Sequence, residues 1–285
     1  MNMAFEEVRL NLPHIEVAAH LYGPEDGVPV IALHGWLDNA STFHRLAPLL
    51  EGLRIVALDL PGHGHSQHRP VGVTYNIWDY AHDVLQVAEQ FGWQRFSLLG
   101  HSMGAIVSVL LAGAMPQRIE RLALIDGVLP LTGEPDSAPA RLGAALQALL
   151  AVENKQKPVY PTLDKAVAAR MKGLVPVSRT AAELLAQRGL MPVPGGLTWR
   201  TDTRLTMPSS LRLTQQHARA FLARVSCPVS LVVASQGLVS EGMLREARTK
   251  MDFETHRLDG GHHLHLDDAA GAEAVAAVFA EFFGR

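Results

Sequence analysis

A serine stands between two glycines in the stretch FSLLGHSMGAIVSVLLAG, residues 96–113. An apolar run that predicts a strand leads into Ser102, and an apolar segment with small residues that predicts a helix follows it. A strand–turn–helix of this kind lifts the serine hydroxyl out of the backbone at the end of the strand. Gly100 and Gly104 leave space where the two backbones approach closely. Ser102 is therefore a candidate nucleophile; a serine that only fills a tight turn is the alternative.

A serine hydroxyl needs a base, because it is a poor nucleophile near neutral pH. The sequence has 14 histidines, so position selects the candidate. In LDGGHHLHLDDA, His262 follows two glycines after the last predicted strand and precedes the last predicted helix. We expect His262 to be the base, with His263 as its nearest competitor and His265 as a packing or supporting residue. No acidic ligand pattern accompanies these histidines, which argues against a metal site.

The carboxylate that orients this histidine is less obvious. An aspartate often follows the strand before the histidine, but LVVASQGLVSEG has Gly237 at that place and Glu241 four residues later. Asp126 follows another predicted strand, in LALIDG. This strand is the one that comes after the predicted helix behind Ser102. Neighbouring parallel strands end at the same edge, so Asp126 can reach the same histidine. We favour Asp126 over Glu241, with a helix-capping role for Asp126 as the alternative.

Acyl transfer also needs donors for a developing oxyanion. One is expected to be the backbone N–H of Met103, the residue after the nucleophile, and the other the backbone N–H of Trp36. Trp36 ends the stretch IALHGW, in which His34 and Gly35 shape the loop. We predict that these three residues border the substrate, with the Trp36 ring as one wall of its pocket.

The loop DLPGHGHSQH contains three histidines, His63, His65 and His68. It follows a predicted strand and has no cysteine or acid pattern of the kind that completes a metal site. Asp59, His63 and Ser66 are expected to hold this loop by local hydrogen bonds. The sequence also has no Walker A pattern and no dinucleotide-binding fingerprint. We therefore expect no metal and no organic cofactor.

Composition limits the classes of function. The chain has 285 residues, 48% of them apolar and 19% charged, with a net charge of −3. This balance argues against disorder and gives no basic footprint for nucleic acid. The N-terminal stretch is acidic and lacks the apolar region of a signal peptide, and no apolar run approaches the roughly 20 residues of a membrane span. A lone cysteine, Cys227, suits a structural thiol in a reducing cytoplasm.

Short, continuously apolar runs alternate with helical patterns. The predicted strands are residues 28–36, 53–66, 95–102, 121–127, 227–237 and 253–263, and the predicted helices are residues 77–92, 103–116 and 271–283. Continuous apolarity indicates strands that are buried on both faces. The prediction is an α/β fold with a doubly wound, mostly parallel sheet.

The alternation stops between the fourth and fifth predicted strands. Residues 127–222 lack a strand-like run but contain helical stretches, at residues 140–154 and 180–190, and proline-rich segments. They predict a helical cap, inserted between a first core part, residues 1–126, and a second, residues 223–285. In the cap, Trp199, Arg200 and Arg204 are candidates for binding the substrate, the arginines through an anionic group. Surface solvation is the alternative for at least one arginine.

Several motifs together resemble a known superfamily. HGW, DLPGHGHS, GHSMGA, LALIDG and GGHHLHL occur in the order and spacing of the α/β-hydrolases. LHGWLDNASTF, LLAQRG and LTWRTDTRL narrow the resemblance to the serine hydrolase-like proteins. The resemblance implies an α/β-hydrolase fold with a cap, a catalytic acid at Asp126 with none at Gly237, and hydrolysis of esters or related acyl compounds. Serine at position 102 argues against dehalogenase and epoxide hydrolase activities, which use an aspartate there.

The expected function is that of a serine carboxylesterase acting on a small or medium apolar acyl ester. One alternative is a ligand-binding protein with this fold and little catalysis, which the glycine at position 237 favours. Another is hydrolysis of a thioester, amide or C–C bond. The expected partner is a small acyl substrate. The sequence does not indicate an oligomeric state.

Overall fold

The structure is a computed structural model that describes residues 5–152 and 155–284. The strands in these residues are β1 (Glu6–Asn11), β2 (Glu16–Tyr22), β3 (Val28–Leu33), β4 (Leu53–Leu58), β5 (Phe96–His101), β6 (Ile119–Ile125), β7 (Leu190–Val193), β8 (Gly196–Trp199), β9 (Val229–Gln236) and β10 (Glu254–Gly261). Eight strands form one sheet in the order β1-β2-β4-β3-β5-β6-β9-β10. The first two pair antiparallel at one edge, and the neighbours from β4 to β10 are parallel.

The parallel strands are apolar because both faces of the sheet are covered. All six residues of β5 are buried, as are the last four of β3 and of β4. The predicted mostly parallel α/β sheet is thereby confirmed. The two antiparallel strands were not predicted. Most residues of β1 are at least partly exposed, so this edge strand lacks the apolar run that marks the others.

The helices in the described residues are α1 (Asp79–Gln90), α2 (Met103–Ala114), α3 (Ala138–Ala151), α4 (Leu163–Met171), α5 (Arg179–Gly189), α6 (Gln215–Leu222), α7 (Glu241–Arg248), α8 (Leu264–Asp267) and α9 (Ala269–Gly284). One face of the sheet packs on α1, α2 and α7, through Val84, Val107 and Leu244. The other face packs on α9, through Val275 and Phe279. Helices on both faces make the sheet doubly wound. None of these helices is both long and apolar enough to cross a membrane.

The chain between β6 and β9 forms α3 to α6 and a hairpin of β7 and β8. We refer to residues 127–222 as the cap; its limits remain a prediction. The expectation that this region lacks strands was wrong: Gly195 and Gly196, at φ 87° and 148°, allow the turn that joins β7 to β8. The helix predicted over residues 140–154 corresponds to α3, and residues 153 and 154 lie outside the described residues.

A buried arginine fastens the cap to the sheet. Arg188, in α5, donates through Nε to both carboxylate oxygens of Asp59 at 2.9 Å and through Nη1 to Glu7 in β1 at 2.6 Å. Burial raises the pKa of Asp59, but the Arg188 guanidinium and backbone N–H groups outweigh it and hold the pKa below its usual value. The ion pairs therefore connect the cap with β1 and with the loop that follows β4.

Candidate active site

Ser102 lies in a strained turn between β5 and α2. Its backbone has φ 53° and ψ −116°, a region that residues with a Cβ rarely adopt. A Cβ on Gly100 would lie 2.5 Å from the Cα of Ala105, and one on Gly104 would lie 2.0 Å from the carbonyl oxygen of Leu33. Both contacts are prohibitively short. The glycines are thus required by the close approach of strand and helix, and the turn puts Ser102 at the carboxyl end of β5.

Asp126 and His262 meet at the same edge of the sheet. Asp126 directly follows β6, His262 directly follows β10, and both residues are buried. The Nδ1 atom of His262 lies 2.6 Å from Oδ2 of Asp126, so an Nδ1–H donates to the carboxylate and Nε2 has a free lone pair. In the described part of the chain, neither His262 Nε2 nor Ser102 Oγ has a hydrogen-bond partner. The histidine thus has the tautomer of a general base.

The Asp126 carboxylate reaches His262 across the end of β9. There it accepts the backbone N–H of Leu238 at 2.6 Å and that of Ala234 at 3.3 Å. A Cβ on Gly237 would lie 2.3 Å from Oδ2 of Asp126. The glycine at the usual acid position therefore makes room for an acid that comes from another strand.

Glu241, the alternative acid, points elsewhere. It begins α7 and forms an exposed salt bridge with Arg257 of β10. The structure brings His262 to Asp126 and not to Glu241.

The two predicted oxyanion donors are backbone N–H groups, of Met103 and of Trp36. Met103 begins α2, where the first N–H groups have no acceptor within the helix. Trp36 lies in the loop after β3, and its N–H also has no hydrogen-bond partner among the described residues. Three non-glycine residues of the described chain have positive φ: Leu37, Ser102 and Asp126. They lie in the three loops that carry the candidate oxyanion donor, nucleophile and acid. Strained backbone conformations of this kind cluster at active sites.

His34 and Gly35 shape the loop after β3. The fully buried His34 ring accepts the Leu60 N–H at 3.0 Å and donates to the Gly35 carbonyl at 2.7 Å, which joins the ends of β3 and β4. Burial lowers the pKa of His34, so this ring is neutral. A Cβ on Gly35 would lie 3.1 Å from His101 Nδ1 and 3.2 Å from Asp38 Oδ2, so glycine leaves space for these side chains.

A second buried pair of histidine and carboxylate lies beside the first. His263 Nε2 is 2.8 Å from Oδ2 of Asp38, and Arg170 of α4 donates to Oδ1 of the same carboxylate at 2.9 Å. Burial raises the pKa of Asp38, but His263 and Arg170 outweigh it and hold the pKa well below its usual value. Asp38 was not predicted from the sequence, in which its one signal is its place in the loop, two residues after Trp36.

Two further histidines fill the space between these pairs. His101 Nε2 donates to the backbone carbonyl of His262 at 2.9 Å, and burial lowers the pKa of His101 so that it stays neutral. His265 is fully buried, with its ring centroid 4.5 Å from that of His101 and 6.0 Å from that of Phe43. Its placement is that of a packing residue.

Within the residues that the structure describes, two sets of side chains have the spacing of metal ligands. Asp38, His101 and His263 form one, and His14, His82 and Asp83 form the other; the ligand atoms of each lie within 4.8 Å of one another. In the first set, Asp38 is already paired with His263 and Arg170. In the second, Asp83 is paired with His14 and Arg69. In both sets the carboxylate is thus already paired with one histidine and one arginine.

The histidine-rich loop after β4 is held by local hydrogen bonds. Asp59 accepts the His65 N–H at 2.6 Å, and its carbonyl accepts the Ser66 hydroxyl at 2.5 Å. Burial lowers the pKa of His63 to about 3, and its Nδ1 donates to the Pro61 carbonyl at 3.3 Å. The His68 ring donates to a carbonyl of the cap.

Of the three cap residues predicted near the substrate, the two arginines donate hydrogen bonds to other groups and the tryptophan packs in the cap. The Arg204 guanidinium pairs with Asp202 and donates to backbone carbonyls of residues 69, 70 and 73. Arg200 donates through Nε to the Leu190 carbonyl at 3.1 Å. The Trp199 ring packs in the small core of the cap. A role for these residues in substrate binding remains a prediction.

The lone cysteine is remote from this chemistry. Cys227 lies just before β9, and burial raises the pKa of its thiol to about 11. A thiol with so high a pKa is a poor nucleophile at neutral pH.

Comparisons with known proteins identify the family of the chain. Residues 28–155 match the model of the alpha/beta hydrolase fold family. The serine hydrolase-like protein of Danio rerio is 34% identical over 99% of this chain and 89% of its own length. Serine hydrolase-like protein 2 of Homo sapiens is 36% identical over 97% and 93%.

Solved structures extend the likeness. A hypothetical protein of Pseudomonas aeruginosa PAO1 is 70% identical, with a TM-score of 0.96 over 98% of this chain and all of its own. A thioesterase domain from the curacin biosynthetic pathway is 27% identical, with a TM-score of 0.85 over 97% and 99%. The fold, the motifs and these relatives lead to one conclusion: the chain belongs to the α/β-hydrolase superfamily and, within it, to the serine hydrolase-like family.

Proposed function

We propose that the protein is a serine carboxylesterase that hydrolyses small or medium apolar acyl esters through an acyl-enzyme on Ser102. The observation that carries the proposal is the 2.6 Å contact between His262 and Asp126 at the same sheet edge as the strained Ser102 turn. A strained serine turn, a histidine in the tautomer of a base and a buried carboxylate are the parts that acyl transfer needs.

Each side chain takes one step in the proposed reaction. His262 Nε2 removes the Ser102 proton while Oγ attacks the ester carbonyl. The resulting oxyanion accepts the N–H groups of Met103 and Trp36, and the N-terminus of α2 adds its positive end. The imidazolium then protonates the leaving alcohol. In the second half, His262 removes a proton from water as the water oxygen attacks the acyl carbonyl. The imidazolium then returns the proton to Ser102 Oγ, and the carboxylic acid leaves.

The surroundings of Asp126 support its role as the acid. Its carboxylate is bound by neutral backbone N–H groups of Ala234 and Leu238. No cation competes for it in the hydrogen bonds of the described residues, so its charge is available to stabilise the His262 imidazolium. We further propose that the Trp36 ring, which is 42% exposed, forms a wall of the acyl pocket. The proposed compartment is the cytoplasm.

A second candidate is hydrolysis of an acyl thioester. The curacin-pathway thioesterase domain, similar over nearly the whole chain, favours it. Both reactions pass through the same acyl-enzyme, so they differ in the leaving group and not in the roles of Ser102, His262 and Asp126.

Labelling with a fluorophosphonate probe tests the proposal, with Ser102→Ala as control. We expect the wild type to be labelled and the variant not. An unlabelled wild type would favour the ligand-binding alternative. A panel of p-nitrophenyl esters and N-acetylcysteamine thioesters with matched acyl groups then separates the two hydrolase candidates. A kcat/KM for thioesters more than tenfold above that for the matched esters would replace carboxylesterase with thioesterase.

A further inference from the structure

The loop that carries the Trp36 N–H is held by the cap. We call residues 34–39 the oxyanion loop. Three of its side chains contact three separate segments of the cap. The contacts are Trp36 Nε1 with the Leu205 carbonyl, Arg170 Nη2 with the Asp38 carboxylate, and Asn39 Nδ2 with the Leu185 carbonyl, each at 2.9 Å. The side chains of three of the six residues in the oxyanion loop are therefore hydrogen-bonded to the cap.

The oxyanion loop also has a conformation that needs support. Leu37 has φ 63°, in the left-handed region that residues with a Cβ disfavour. On the core side, a backbone bond from the Asp38 N–H to the Gly35 carbonyl, at 3.2 Å, closes a turn around Trp36. A strained conformation persists only where its surroundings determine it. The cap contacts flank Leu37 on both sides, at Trp36 and at Asp38.

The contact between Arg170 and Asp38 is the one of the three that joins two charged groups. Arg170 lies in α4, is mostly buried, and also donates to the Val175 carbonyl at 2.9 Å, which fixes its direction. The carboxylate it meets is shared with His263, the neighbour of the proposed base. Removing Arg170 would leave a buried carboxylate with one partner fewer, a change that normally shifts the groups around it.

We propose that docking of the cap sets the direction of the Trp36 N–H, with Arg170 as a positioning residue that acts through Asp38. The position of the cap then determines whether the oxyanion hole is complete. A substrate that allows the cap to dock on the core is hydrolysed fast. With a substrate that keeps the cap from docking, the Trp36 N–H no longer donates to the oxyanion. This inference rests on the proposed function, because it gives the Trp36 N–H a role in catalysis.

Steady-state kinetics of Arg170→Ala test the proposal. We expect kcat to fall by about 10- to 100-fold while KM changes less than about threefold, because an oxyanion donor acts on the transition state. Arg170→Lys should recover part of the loss, and added guanidinium ion should raise kcat of Arg170→Ala.

The matched control is Ser178→Ala. Ser178 Oγ donates to the Asp267 carbonyl at 2.8 Å, a contact between cap and core that does not involve the oxyanion loop. We expect its kcat to stay within about twofold of wild type. An equal fall of kcat in both variants, or a rise of KM alone in Arg170→Ala, would overturn the proposal, since either would mean that the cap only closes the pocket.

A second readout does not depend on turnover. The chain has four tryptophans, so the indole N–H signals are few in an NMR spectrum, and Trp36→Phe assigns that of Trp36. In Arg170→Ala we expect this signal to shift and its hydrogen exchange to speed up at least tenfold, with no such change in Ser178→Ala. The Trp93 signal, from a ring stacked on Phe91, reports that the core is intact.

The two readouts separate two kinds of failure. An unchanged Trp36 signal in Arg170→Ala would show that the cap does not hold the loop, and the inference would be wrong whatever the activity. A changed Trp36 signal in a protein that turns over neither esters nor thioesters would contradict the proposed function while leaving the mechanical link between cap and loop in place.

Discussion

His262 and His263 are neighbours in sequence, yet each pairs with a different buried carboxylate. His262 contacts Asp126 at 2.6 Å, and His263 contacts Asp38 at 2.8 Å. The two carboxylates differ in what else they bind. Among the described residues, Asp126 accepts only backbone N–H groups besides its histidine, whereas Asp38 also receives the guanidinium of Arg170.

That difference separates a pair suited to catalysis from one suited to structure. A carboxylate bound by neutral N–H groups keeps its charge for an imidazolium that forms during a reaction. A carboxylate that is already paired with an arginine stabilises such an imidazolium less. It instead connects two segments of the chain through a buried ion pair. The second nitrogen of each ring agrees. In the proposed mechanism His262 Nε2 serves Ser102, while His263 Nδ1 is buried without a hydrogen-bond partner among the described residues.

Among the substitutions that test this comparison of the two pairs, Asp126→Asn is expected to lower kcat the most. We expect kcat for an ester substrate to fall by about 10³- to 10⁴-fold, because the amide favours the wrong tautomer of His262 and cannot stabilise its charged form. Asp38→Asn, the matched change in the other pair, should lower kcat far less. Comparable losses in the two variants would remove the distinction between the pairs.

Gly237→Asp tests the space that Asp126 uses. We expect a loss of about 100-fold in kcat, because the new side chain meets the Asp126 carboxylate and places a second negative charge beside it. The double variant Asp126→Ala, Gly237→Asp moves the acid to the end of β9 and should regain activity relative to Asp126→Ala. An inactive but folded double variant, judged by circular dichroism, would show that the acid works only from β6.

Asp38→Asn should lower stability in addition to its smaller effect on kcat. Breaking a buried pair costs about 3 kcal/mol, which corresponds to a fall in Tm of about 6–12 °C in thermal unfolding. The folded-state pKa of Asp38 lies below its unfolded value, so its contribution is present above about pH 4 and is lost as the pH falls through the folded pKa. The difference in Tm from wild type should therefore be full at pH 6 and shrink below pH 4. A difference that grows in acid would contradict this assignment.

Glu241→Gln gives the smallest expected effect. Its carboxylate pairs with Arg257 at the surface, and exposed pairs contribute about 0–1 kcal/mol. We expect kcat and KM within about twofold of wild type, measured with the same ester as for Asp126→Asn. A loss of orders of magnitude here would move the acid from Asp126 to Glu241.

The parallel sheet could be predicted from the sequence, and so could the candidates Ser102, His262 and Asp126. Continuous apolar runs mark strands that are buried on both faces, and the reactive residue types follow those strands directly. The exposed edge strand β1 and the short hairpin of β7 and β8 have no such run, so they were missed. The link between Asp38 and Arg170 joins residues 132 positions apart. No local pattern encodes a contact of that kind.

Gly237 limits how the carboxylate that pairs with the histidine can move, in evolution, between the end of β6 and the end of β9. Because a side chain there collides with the Asp126 carboxylate, an acid at either position disfavours an acid at the other. A lineage that moves the acid from one strand end to the other passes through a form that keeps both, in which the two carboxylates repel each other, or through a form with neither, in which no acid orients the histidine. Both intermediate forms are expected to be less active than either placement alone. The two placements are therefore expected to persist as separate branches, and a glycine after the penultimate strand points to an aspartate further back in the chain.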